Sequence, residues 1–388
     1  MSGHLLEVGL VPGDGLPARV ARVALDGAGI VSAVETGGEG GVEGAERLLV
    51  PPIVDLHLDV LRERRRPRAG VELELERAIA MLDAELAASG YATVCICARF
   101  EDAPEKGVHL TDAGRLCELV ERHAERLGCE WLIHARVEVT DEGVTDELER
   151  ALGRCSRIAL VSVMDHSAER SRFHTVDAHR EYYSRDWSLS LEEVDRMIDR
   201  KRTGAAGAEG RRRAVAALAQ RSGVPLATHD DRGEHDVAAA ASLGACVAEF
   251  PLSLEAARAA SDRGITVALG APNAVRGRST SPGNLTVADA IGARACDVLC
   301  ADYLPNAMLA APFALAAHGH LELGAGFELV SGAPARVLGD EAPRIEVGRP
   351  LDGVLVEMLE DTPIAVARWR SGHLVWSRSP VAGVASVV

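Results

Sequence analysis

The stretch Pro51-Pro52-Ile53-Val54-Asp55-Leu56-His57-Leu58-Asp59-Val60 decides how the chain folds. Its dense apolar residues behind two prolines describe a buried strand, and that strand ends in a His-x-Asp pair. Along a strand, residues i and i+2 share a face, so His57 and Asp59 project together. An imidazole beside a carboxylate at a strand's C-terminal end can seed a metal site. Alone the pair is a common pattern, and its weight depends on what later strands carry at the same end.

Outward from this strand the texture alternates. Apolar strand-like runs fall at 53–60, 92–99, 131–139, 158–165, 225–229, 245–250, 265–270 and 298–302. Helical patterns separate them at 71–89, 111–127, 144–152, 191–202 with 208–222, 233–242, 253–263, 286–295 and 304–317. Eight strands alternating with helices predict an α/β fold, a (β/α)8 TIM-type barrel over residues 51–334, with a doubly wound open sheet as the alternative. Shorter β-like pieces lie at 21–25 and 29–34, and again at 344–347, 353–356, 364–370 and 373–376. They predict a small β-sandwich domain made from both chain ends, residues 1–50 plus 335–388. The turn-rich stretches 203–210 and 271–284 are expected to be long loops.

Composition narrows the function classes. The chain has 388 residues, 47% hydrophobic and 26% charged, enough for a sizeable core. Aromatics are only 3%, so that core is built of Ala, Val and Leu. A formal charge of −16 argues against nucleic acid or an anionic membrane as a partner. The eight cysteines show no CxxC spacing and read as reduced thiols, mostly in the core. With no basic-then-apolar leader and no membrane-length apolar run, the expectation is a cytoplasmic protein, as a monomer or a homo-oligomer.

Barrel enzymes carry their chemistry at the C-terminal ends of the strands. Here those ends read His57/Asp59; Arg99; His134, Arg136 and Glu138; Asp165-His166; His229-Asp230-Asp231; Glu249; Asn273 and Arg276; and Asp302. Any one of these histidines is more often a satisfied structural residue. Polar groups are costly to bury, however, and folding does not require all of them at one end. The set favours a divalent cation, zinc first, with manganese or iron as alternatives, bound as one ion or two. No cysteine is placed at these ends, so nitrogen and oxygen ligands are expected, with Glu138 the best bridge between two ions. Such ions lower the pKa of a trapped water, and Asp302 or Asp231 is placed to take its proton.

Basic groups accompany the site. Arg276-Gly277-Arg278-Ser279-Thr280-Ser281 joins glycine, guanidinium and hydroxyl groups, a combination suited to phosphate. Arg62, Arg64, Arg65, Arg66 and Arg68 read mostly as a solvated basic helix end. Against an acidic chain, cations at one face suggest a small polyanionic substrate. The histidines at 109, 123, 235, 318, 320 and 373 lie away from the strand ends, and His174 and His179 are left outside the site.

Together these features resemble the amidohydrolase superfamily. The stretches Val54-Asp55-Leu56-His57-Leu58-Asp59, Met164-Asp165-His166, Arg180-Glu181-Tyr182-Tyr183, Thr228-His229-Asp230-Asp231, Ala248-Glu249-Phe250-Pro251, Gly270 to Gly277 and Ala301-Asp302-Tyr303-Leu304-Pro305 are more specific still. They resemble the diphosphatases that act on a ribosyl methylphosphonate triphosphate in the bacterial carbon–phosphorus lyase pathway. The resemblance implies metal-dependent cleavage of the triphosphate chain, with pyrophosphate released and the 5-phosphate left. It implies metal ligands among His57, Asp59, Glu138, His166, His229 and Asp302, with Asp302 also the proton acceptor. Arg136, Asn273, Arg276, Arg278 and Glu249 make up the expected substrate-facing set. Glu249 stands where the superfamily often has a histidine, and is left as a ligand or the partner of one. Two other classes stay open: hydrolysis of an N-acyl or cyclic amide, and a metal-free binding scaffold.

Overall fold

Strand formation follows the apolar runs. A computed structural model describes residues 4–37, 42, 45–68, 70–173 and 175–378. The strands in chain order are β1 His4–Leu10, β2 Arg19–Leu25, β3 Val31–Thr36, β4 Arg47–Val50, β5 Ile53–Leu58, β6 Tyr91–Phe100, β7 Glu130–Glu138 and β8 Ile158–Met164. They continue as β9 Leu226–His229, β10 Val247–Glu249, β11 Thr266–Gly270, β12 Val298–Cys300, β13 Gly353–Leu359, β14 Thr362–Arg370 and β15 His373–Ser377.

Strands β5 to β12 pair in sequence order, all parallel, with helices between them. The eight predicted barrel strands are therefore present, and every residue of β5 is buried. A bridge between Leu58 and Asp302 brings β5 against the chain beyond β12. It is held by Asp302 N–H to His57 O at 2.9 Å and Asp59 N–H to Asp302 O at 2.6 Å. The seam where the barrel closes is thus built from residues of the expected site. A separate apolar cluster that includes Leu56, Cys95, Leu160, Ala227, Val247 and Ala268 brings β5, β6, β8, β9, β10 and β11 together as a packed interior.

The two chain ends form a second sheet in the order β15-β14-β13-β4-β1-β2-β3. Its β1–β4 pair is parallel and its other pairs are antiparallel. Leu10, Val23, Leu49, Leu355 and Trp369 fill its own core. Only Pro51-Pro52 separates β4 from β5, which ties this sheet to the first barrel strand.

Several elements differ from expectation. Residues 203–210 are not a loop but the middle of a 32-residue helix, Leu191–Ser222, opened by a Ser190/Glu193 capping box. The stretch 271–284 begins with the short helix Ala271–Arg276. Residues 344–347 make no strand, although Ile345 N–H is bonded to Pro12 O. The helix Gly332–Val337 crosses the expected boundary at 335. Strands β1 and β4 and the helix Val176–Asp186 were not expected. Among the described residues, no helix is long and apolar enough to cross a membrane.

Candidate active site

At the C-terminal end of the barrel three non-glycine residues adopt left-handed backbone: Asp230 (φ 60°), Phe250 (φ 52°) and Asp302 (φ 54°). Asp230 and Phe250 directly follow β9 and β10, and Asp302 lies two residues beyond β12. Each keeps its N–H on a neighbouring strand: Asp230 to Glu249 O, Phe250 to Ala268 O, Asp302 to His57 O. This conformation costs about 1–3 kcal/mol per residue, and here three residues at one end of the barrel hold it.

Four imidazoles converge here. His57 Nδ1 lies 3.0 Å from Glu249 Oε1, and the other Glu249 oxygen accepts from Ser162 Oγ at 2.8 Å. An ionised Glu249 only accepts, so His57 carries its proton on Nδ1 and leaves Nε2 bare. That Nε2 is buried and has no hydrogen-bond partner. His166 is held in the same way, its Nδ1 2.9 Å from Glu138 Oε2. His229 Nε2 lies 3.3 Å from an Arg136 nitrogen, while its Nδ1 makes no hydrogen bond although Asp230 Oδ1 is 3.3 Å away. His134 directs Nδ1 to Leu56 O at 3.0 Å, and its Nε2 is unbonded although Glu249 Oε2 lies 3.5 Å away.

Three ligand groups bring their donor atoms within 4.8 Å of one another: His57/His229/Glu249, His166/His229/Asp230 and His57/Cys97/His134. Burial, helped by the Arg136 charge, pulls His57 well below the usual imidazole range, so it stays neutral and able to ligate. Burial alone would raise the Asp230 carboxyl, but His229 holds it below the usual range. Bare buried nitrogens and an ionised carboxylate make a donor set that fits a divalent cation.

The other expected residues take different places. Asp59 accepts from Arg99 at 2.6 and 3.1 Å and also from Arg136. Although burial opposes it, these guanidiniums hold its carboxyl far below the usual range. Asp59 therefore stands in a charge cluster with two arginines, outside the ligand groups, and Arg136 is buried between Asp59 and His229. Glu138 orients His166 instead of joining those groups. It accepts from Thr140 Oγ1 at 2.5 Å and faces Lys201 Nζ at 3.7 Å. Glu249 holds His57 through Oε1 and is also a member of one of the three ligand groups.

Asp231, expected to take a proton, accepts instead from Thr228 Oγ1 at 2.6 Å, and its neighbour Asp230 faces the histidines. Both polar side-chain atoms of Asn273 latch backbone, Nδ2 to Leu285 O and Oδ1 from Val287 N–H. Arg276 is exposed and 3.5 Å from the Tyr303 hydroxyl, next to Asp302 in sequence. Arg278 is exposed on the same loop. Burial and the Asp59 charge raise the Asp302 carboxyl, against the pull of Arg136, Arg172 and His229. His174 lies outside the described residues, and His179 is buried against Ser171 and Tyr183.

Three residues were not expected at the site, Cys97, Arg172 and Lys201, while Asp230 was read at its strand end without a role. Cys97 is two residues before Arg99 on one strand, so the period of two already placed it on the site face. Its Sγ is 4.0 Å from His134 Nδ1, which corrects the expectation that no cysteine stands at these strand ends. Arg172 packs over Phe173 and Tyr182, and its charge is felt by Asp302 and Asp230. Lys201 comes from the long helix, far from any strand, and no local pattern marks it.

Comparison with known proteins places this site in context. No protein-family model matches the chain. It is 31% identical over 346 residues to the alpha-D-ribose 1-methylphosphonate 5-triphosphate diphosphatase of Escherichia coli (strain K12), covering 87% of this chain and 89% of that protein. Among solved structures, it resembles an N-acetyl-D-glucosamine-6-phosphate deacetylase variant from Mycobacterium smegmatis (TM-score 0.62, 16% identity, 97% of this chain and 100% of that one). It also resembles the 5-methylcytosine deaminase of Klebsiella pneumoniae (TM-score 0.60, 15% identity, 97% and 98%). At those identities the likeness concerns the fold alone.

Proposed function

The chain belongs to the alpha-D-ribose 1-methylphosphonate 5-triphosphate diphosphatase family of the amidohydrolase superfamily, and from that membership we propose that it hydrolyses the triphosphate chain of a ribosyl methylphosphonate. Water attacks the phosphorus nearest the ribose, the bond to the next bridging oxygen breaks, and pyrophosphate leaves while the 5-phosphate stays on the sugar. The observation that carries this reading is the buried Nε2 of His57, bare of any hydrogen bond, on a residue that groups with His229 as a potential ligand.

The residues that would hold a divalent cation are His57, His229 and Glu249 or, sharing His229, His166, His229 and Asp230. When bound, that ion supplies Lewis acidity and makes water a better nucleophile near neutral pH. Asp302 takes the proton of the attacking water, and its raised pKa makes it a stronger base than a solvated carboxylate. Arg172 and Arg276 offset the negative charge that gathers on the phosphoryl oxygens as the bond breaks. Glu249 and Glu138 keep His57 and His166 oriented with their protons on Nδ1.

The test is product identification with the ribosyl methylphosphonate triphosphate as substrate. Pyrophosphate and the 5-phosphate are expected, with activity lost on chelation and reduced by about two orders of magnitude or more in Asp302→Asn. Orthophosphate as the released product would overturn the cleavage position. Turnover of N-acyl or cyclic amides in its place would overturn the substrate class.

A further inference from the structure

Asp59, Cys97 and Arg99 also line a cavity beside the helix Leu61–Arg65. Its other polar walls are Arg62, Arg65, Arg66 and Asp112. Each of its four guanidiniums already has a carboxylate partner: Arg99 on Asp59, Arg62 on Glu63 at 3.3 Å, and Arg65 and Arg66 on Glu72. The guanidinium N–H groups that these pairs leave over are donors gathered round one cavity, where an anion can accept from several at once.

These arginines are held in place and are not a loose solvated fringe. The Arg62 guanidinium carbon sits 3.9 Å from the centre of the Trp187 ring. Stacking fixes its plane, and with Nη1 on Glu63 at 3.3 Å the Nε edge is what is left for a ligand. Arg62 Nε is buried with no hydrogen-bond partner, a donor awaiting an acceptor. Arg65 and Arg66 share the Glu72 carboxylate, at 2.7 and 3.2 Å, which holds them side by side. Gly107 makes room for Arg66: its backbone is left-handed (φ 63°), and a β-carbon there would collide with the Arg66 guanidinium.

We propose that this cavity is a condensed-phosphate site that grips the leaving pyrophosphate portion of the substrate. The proposal rests on the diphosphatase reading above and adds the residues that select a polyphosphate over a monophosphate. Arg136 links Asp59 of this cavity to His229 of the histidine cluster, and in this proposal one triphosphate reaches both. One phosphoryl group would sit at the histidines and Asp302, and the two departing groups would sit among Arg62, Arg66 and Arg99.

Calorimetric titration of inorganic pyrophosphate into the metal-loaded protein tests the site directly. Wild type and the exposed control Arg213→Gln should bind it alike, and orthophosphate should bind far more weakly. Arg62→Gln, Arg66→Gln and Gly107→Ala should each weaken pyrophosphate roughly tenfold or more, as expected for loss of a charge-assisted contact. Arg62→Lys, which keeps the charge but loses the flat stacking group, should recover only part of the affinity. Equal pyrophosphate affinity across these variants, or no uptake by wild type, overturns the proposal. If one variant fails to fold, the others still decide. Because binding is read without turnover, a protein that takes up pyrophosphate but leaves the ribosyl triphosphate intact would sink the proposed reaction and leave this site standing.

Discussion

Asp59 and His57 leave the same strand end on the same face, yet their side chains do opposite things. His57 keeps a bare nitrogen, whereas Asp59 spends its oxygens on Arg99 and Arg136. The His-x-Asp pattern predicts their shared direction from the period of two, but their partners come from other strands. Strands β6 and β7 pair in a register that sets Arg99 opposite Arg136, and no local signal reports that juxtaposition. Asp231 and Asp230 teach the same lesson at a turn. The left-handed conformation of Asp230 decides which of two adjacent carboxylates faces the histidines.

Asp59→Asn should leave two largely buried guanidiniums without their counter-charge. The expected loss is roughly 3 kcal/mol, at the low end for a buried pair because the Arg99 side chain is 23% exposed. The folded pKa of Asp59 is depressed, so its contribution is present above the unfolded value of about 3.9 and lost only as pH falls through the folded one. Denaturant unfolding near pH 7 and again in strong acid would show a wide gap that closes with acidification. A gap that is absent at pH 7 would contradict the assignment.

At the scale of elements, the barrel strands were legible because apolar runs of five to ten residues between amphipathic stretches have few other readings. Even the three-residue strands β10 and β12 showed through. The long helix Leu191–Ser222 was not, since Gly204, Gly207 and Gly210 look like a break. Gly204 is there for close packing: a β-carbon would run into the carbonyl oxygen of Thr140. That approach brings Lys201, less than a turn earlier, to 3.0 Å from Asp141, 3.5 Å from Glu101 and 3.7 Å from Glu138. The helix therefore delivers the buried cation that keeps Glu138 ionised and aimed at His166, overriding the effect of burial. Lys201→Met should destabilise the fold by about 3–5 kcal/mol and weaken metal retention roughly 10- to 100-fold. Metal content after exhaustive dialysis checks the second effect, and wild-type retention would contradict the role given to Glu138.

Over the whole molecule, the site lies where the barrel closes. His57, Asp59 and Asp302 exchange backbone hydrogen bonds across the β5 seam, so the contacts that close the barrel also hold these three residues together. The terminal sheet joins the barrel through Pro51-Pro52, immediately before that seam. This division of the chain could be read from the two changes in texture along the sequence, but the course of β1 and β4 could not. β1 is interrupted by Glu7 and Gly9, and β4 is only four residues long. The barrel mouth carries bare histidine nitrogens and, around Asp59, a group of guanidiniums, and the proposed function sets a chain of phosphates against both. Hydrolysis of the ribosyl methylphosphonate triphosphate in 18O-enriched water, followed by 31P NMR, tests this claim most directly. Attack at the phosphorus next to the ribose predicts the heavy oxygen in the sugar 5-phosphate and unlabelled pyrophosphate. Label in the released pyrophosphate, or in orthophosphate, would contradict it.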